Sequence, residues 1–153
     1  MLRILTLAIA VVLVAVPVLA QQPAPQKPPA NPLAAVTAFQ CAFVRFSVAR
    51  WDEDVPEILT GEDNFSLGVT GIDLRRSRAR VVSATATVDV SARLAPTGLN
   101  IIEQTPAGNF VVTTIFSVAK SADTYYAVHS RHLGDLTTPP SASQYYGTCQ
   151  VGG

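Results

Sequence analysis

Ser83-Ala84-Thr85-Ala86-Thr87-Val88-Asp89-Val90-Ser91-Ala92-Arg93-Leu94 alternates polar and apolar side chains without a break. A period of two puts Ala84, Ala86, Val88, Val90, Ala92 and Leu94 on one face and the polar residues on the other, the pattern of a strand with one buried and one wet face. Three turn signals follow at regular spacing: Pro96-Thr97-Gly98, Pro106-Ala107-Gly108-Asn109 and Lys120-Ser121-Ala122-Asp123. The intervening runs, 99–105, 110–118 and 124–131, have strand length and are rich in Val, Ile, Thr, Tyr and Phe. Short turns between such runs make antiparallel neighbours, so residues 84–131 read as a four-stranded meander.

Upstream, residues 39–48, 65–73 and 79–82 also read as strands. Gly71 stands where the apolar parity of the second run flips, which predicts a bulge there. No Gly or Pro separates residues 79 and 95, so one long bent strand and two strands are both open. Residues 144–149 supply a last short strand, and the best helical stretch, 55–59, is too short to matter. The expectation is a single all-β domain over residues 37–150. It is an antiparallel meander of seven or eight strands forming a small β-barrel, with a β-sandwich as the alternative.

The N-terminus reads differently. Arg3 precedes an apolar run from Ile4 to Val16, and Val18-Leu19-Ala20 offers small or β-branched residues for a cut after Ala20. Residues 1–20 therefore read as a secretory signal peptide, which leaves no membrane span once removed. Residues 21–36 begin QQPAPQKPPANPLAA, with five prolines in fifteen residues. That density favours an extended, semi-rigid linker. Export to a periplasmic or secreted location makes a Cys41–Cys149 disulfide the default for two thiols. Those cysteines lie in the first and last strands, which are neighbours in a sheet closed on itself.

Composition narrows the function without naming it. Of 153 residues only 14% are charged, against about a quarter in typical globular chains. Arg3 is the one charge in the first twenty residues, so the remainder carries ten basic and eleven acidic groups. That balance lacks the positive excess of a nucleic-acid-binding protein, and two thiols cannot build a four-cysteine zinc site. His129 and His132 stand at i and i+3 on a strand, on opposite faces, so no metal site and no cofactor are expected. Asp52, Glu53, Asp54, Glu57, Glu62 and Asp63 read as a solvated acidic loop; the glycine and glutamate that an EF-hand requires at its sixth and twelfth positions are Glu57 and Asp63 here. The opposite cluster, Arg75, Arg76, Arg78 and Arg80, reads as its internal partner or as a charged sheet edge.

A resemblance adds context. Residues Leu99-Asn100-Ile101-Ile102-Glu103-Gln104-Thr105, Thr113-Thr114, Ala127-Val128-His129-Ser130-Arg131-His132 and Gln144-Tyr145-Tyr146-Gly147-Thr148-Cys149 resemble a group of small exported bacterial proteins without assigned function. The likeness extends more loosely to Phe39-Gln40-Cys41. It implies a bacterial, exported, all-β protein and carries no activity or catalytic residue.

The leading functional expectation is a non-catalytic module that binds a small ligand or an envelope protein, with Trp51, Tyr125, His129 and Arg131 as candidate contacts. Its warrant is that small closed sheets place ligands inside or at the mouth. An enzyme using His129 as general base, oriented by Glu103 or Asp135, is the first alternative. A structural or host-contact protein without a pocket is the second.

Overall fold

The computed structural model describes residues 30–152. The expected signal peptide and most of the expected linker lie outside those residues. Eight strands run up and down in sequence order: β1 (Phe39–Asp52), β2 (Val55–Asp73), β3 (Arg78–Val82), β4 (Thr87–Ala95), β5 (Gly98–Gln104), β6 (Phe110–Ser121), β7 (Thr124–Leu133) and β8 (Ser141–Val151). Each pairs antiparallel with the next, and β1 pairs with β8, so the sheet is a closed barrel. β3 is paired on both sides, which removes the sheet-edge explanation for the arginines on it, whereas the β2 stretch from Val55 to Leu67 pairs with β1 alone.

The meander read from residues 84–131 is present as β4 to β7. Its first three residues, 84–86, are not strand, however. Ser83 to Ala86 form the β3–β4 turn, with Ala84 and Ala86 exposed. No glycine is needed, because Ser83 closes the turn itself: its backbone N–H donates to the Ala86 carbonyl at 2.8 Å, and its hydroxyl oxygen accepts from the Ala86 N–H at 3.2 Å. A serine hydroxyl can imitate a backbone turn in this way. The bulge at Gly71 is present, with φ of 59° and a register shift between Thr70 and Asp73.

Several strands are longer than their periodicity announced, β1, β2 and β8 by the most. β8 begins at Ser141, and β1 and β2 extend to a tight turn at Glu53 and Asp54. The stretch 55–59 is therefore strand rather than helix, and the acidic run is a projecting hairpin rather than a loop. Two of its six acids pair within that hairpin, Glu62 with Arg45 at 3.1 Å and Glu57 with Arg50 at 3.2 Å, while Arg76 pairs with Asp73 at 3.0 Å. The two charged clusters do not neutralise each other; exposed pairs like these contribute little stability.

The barrel has two dissimilar ends. The β1–β2, β3–β4 and β5–β6 turns and the 134–140 loop form the rim. The other three turns and the incoming chain form the base. At the base, the end of the span read as linker is docked. Pro32–Ala35 form a 3-10 turn, and Leu33 is fully buried in the core. Asn31 fixes it in place: its Oδ1 accepts from Leu33 N–H at 2.9 Å, and its Nδ2 donates to the Ala95 carbonyl at 2.8 Å. Proline suits this first turn because its missing donor is not needed there.

Alternation sorts the two faces of the wall. Phe39, Cys41, Phe43, Leu67, Val69, Leu99, Ile101, Ile115 and Ala127 fill the interior, while Arg78, Arg80, Thr87, Asp89, Arg93 and Gln144 face out. The outer wall is mixed: charged along β3 and β4, it carries exposed apolar side chains elsewhere, among them Val44, Phe116, Val118, Tyr126 and Tyr146. Cys41 and Cys149 stand opposite each other on β1 and β8 and form a disulfide across the closing seam.

Candidate functional site

Side chains occupy the upper interior. His129, only 6% exposed, sits among the rings of Phe65, Phe43 and Tyr145 at centroid distances of 5.1, 5.7 and 5.9 Å. Its Nδ1 shares a 2.8 Å hydrogen bond with the Thr113 hydroxyl, from the neighbouring strand β6. Burial, aided by the nearby Arg131 charge, holds its pKa down at about 4. A base that weak, oriented by a threonine, differs from the Glu103 or Asp135 arrangement expected of an enzyme. Asp135 is occupied elsewhere, accepting from the backbone N–H groups of Thr137 at 2.6 Å and Thr138 at 2.7 Å and from both hydroxyls. Those bonds hold its pKa at about 2.

The neutral state of His129 has a consequence for acid stability. In the unfolded chain it titrates near the ordinary value of 6.5, so between that pH and about 4 the unfolded state binds more protons. Stability is therefore complete above about pH 6.5 and falls as pH drops toward 4, by about 3 kcal/mol. Urea unfolding between pH 7 and 4.5 should show this slope, and His129→Phe should flatten it whatever its effect at neutral pH.

The four candidate contacts do not converge. Tyr125 is a core residue, paired in register with Cys149 and packed edge-on against Phe39 at 6.2 Å. His129 is interior, and Arg131 shares its face one step nearer the rim. Trp51 alone is at a cleft: at the end of β1 it is 45% exposed and lines a groove of about 930 Å³ at the rim.

That groove is built from connections far apart in sequence. Ala49 to Trp51 and Pro56 of the projecting hairpin, Arg50 among them, form one wall, Ala107 to Asn109 of the β5–β6 turn another, and His132 to Leu136 with Pro140 to Ala142 the rest. Antiparallel register aligns Ile58, Ala49, Ala142, His132 and Phe110 in one row across β2, β1, β8, β7 and β6. The loop is pinned at two points: the Asp135 carboxylate ties down Thr137 and Thr138, and Asn109 Oδ1 accepts from Gly134 N–H at 2.9 Å. The groove is thus mainly apolar, preformed and dotted with a few polar groups, including Asn109 and His132. Leu136 projects beside it fully exposed.

The sequence marked Trp51 but not its neighbours. From sequence His132 stands out only beside His129, and the two lie on opposite faces of β7, one buried and one exposed. Among the described residues no group of three His, Cys, Asp or Glu is placed to hold a metal ion, and no helix is long and apolar enough to cross a membrane. No protein family, curated protein or solved structure matches this chain.

Proposed function

We propose that this protein is an exported, disulfide-closed binding module that holds its ligand at the barrel rim, outside the lumen. The observation that carries the reading is the preformed groove beside Trp51. Its volume of about 930 Å³ lies in the range of small-ligand sites, and an apolar lining with a few fixed polar groups is the common form of such sites. Trp51 supplies a half-exposed aromatic face for stacking, while Asn109 and His132 supply orientation. The ligand class is a compact or extended, largely apolar group carrying one or two hydrogen-bonding atoms. The buried disulfide and the signal-like N-terminus support a periplasmic or secreted location, in keeping with the resemblance to small exported bacterial proteins.

Titration with the apolar fluorophore 1-anilinonaphthalene-8-sulfonate, read by its own emission and by that of Trp51, tests the reading. Saturable binding is expected. Trp51→Ala and Leu136→Asp should each weaken it by about tenfold or more, with the β-sheet circular dichroism unchanged. Absent binding, or binding indifferent to both substitutions, would overturn the rim site.

A further inference from the structure

The groove at the rim and the chain entering at the base have complementary chemistry. Upstream of Asn31 lies Gln21-Gln22-Pro23-Ala24-Pro25-Gln26-Lys27-Pro28-Pro29. A proline-dense run has a ready-made extended form with little entropy left to lose, and grooves walled by aromatic and apolar side chains recognise such segments by packing against the rings. Trp51, Pro56, His132, Leu136 and Pro140 offer that kind of wall.

The segment is poorly placed to fill its own groove. It joins the barrel at the base, where Asn31 is bonded to the Ala95 carbonyl, and the groove is at the opposite end. From Phe39 to Trp51 the strand path is about 40 Å, or roughly 30 Å along the axis for a strand tilted as barrel strands are. Nine residues in polyproline form span about 28 Å. They would just arrive at the rim with nothing left to lie in it.

A second copy removes that difficulty, and charge favours the same arrangement. The rim hairpin carries Asp52, Glu53 and Asp54; at the base Arg76 is paired with Asp73 and Lys120 stands near Asp123, which leaves Arg75 of the β2–β3 turn in excess, with Lys27 in the segment itself. Opposite signs at opposite ends of an exported chain with ten basic and eleven acidic groups attract base to rim between molecules.

We propose that the proline-rich segment, residues 21–29, of one copy lies in the rim groove of a second copy, linking barrels base to rim. The contact is heterologous, so it propagates as a chain unless its rotation closes a ring. The proposal rests on the rim groove being a binding site and names its occupant.

Sedimentation velocity of the full exported protein across a concentration series tests it, together with a synthetic peptide of residues 21–29. Association that grows with concentration is expected. Trp51→Ala should weaken it by about tenfold or more. Excess peptide should return the wild type to monomer, and added salt should weaken association by screening the end charges. A protein that stays monomeric and ignores the peptide, yet binds the fluorophore in a Trp51-dependent way, would overturn this proposal and leave the rim site standing. Loss of both kinds of binding would remove both. Association indifferent to the peptide and to Trp51→Ala would also overturn the proposal, as would peptide capture without self-association.

Discussion

Gly147→Ala is expected to prevent the barrel from closing. Gly147 of β8 lies opposite Phe43 of β1, beside the bulge that displaces Val44 outward between Phe43 and Arg45. A methyl group there would meet the Ala42 carbonyl oxygen and would stand 2.6 Å from Phe43 Cα and 2.8 Å from the Ala42 carbonyl carbon. All three are backbone atoms, so no rotamer change relieves the clash, and β1 must move away from β8. Overpacking alone usually costs about 1–3 kcal/mol. Here the seam itself is lost, and two long strands gain unpaired edges that invite aggregation. We expect a loss of about 4 kcal/mol or more, or failure to fold. Gly108→Ala is the control: φ there is 88°, with open space around it, so the cost should be about 1 kcal/mol of backbone strain. Urea unfolding of both variants decides the matter, and equal midpoints would show that the seam tolerates a wider spacing.

Removing the disulfide is the second large perturbation. Cys41 and Cys149 are 108 residues apart in sequence, and a cross-link over a loop of that length restricts the unfolded chain by about 5 kcal/mol on the chain-entropy account. Domains of this size are stable by only about 5–15 kcal/mol. The Cys41→Ala, Cys149→Ala double variant should therefore lose most of its margin and unfold at a much lower urea concentration. Both sulfurs are fully buried, so reductant added to the folded protein should act slowly, and the double variant is the cleaner experiment. A loss below about 1 kcal/mol would mean that the β1–β8 ladder holds the seam without help from the covalent bond.

These two residues show how the seam was legible in part. Two cysteines at the ends of a meander pointed to a sheet closed on itself, and the bond spans that junction. Nothing about Gly147 in the sequence separates it from an ordinary turn glycine, because its requirement comes from a backbone on another strand. The hairpin was hidden for a different reason. Residues 55–64 project beyond the barrel core, both faces are largely wet, and only Leu59 and Gly61 are partly covered. With no face to bury, the run has no reason to alternate.

The candidate site divides along the same line. Trp51 stood out because a large aromatic at the end of a strand needs somewhere to go. Tyr125 and His129 also looked available, yet both sit in the interior, where ring packing and the Thr113 hydroxyl satisfy them. The remaining groove residues come from three separate connections and share no spacing.

By itself the sequence determined the all-β class, the meander and which face of its central strands is buried, because alternation with a period of two is a local property of each strand. It determined equally that the bulge falls at Gly71. The choice of barrel over sandwich, the Leu33 plug, the rim groove and the partner of His129 were decided only by tertiary structure. Each depends on which strands become neighbours and in what register, and register is set by packing across the whole barrel.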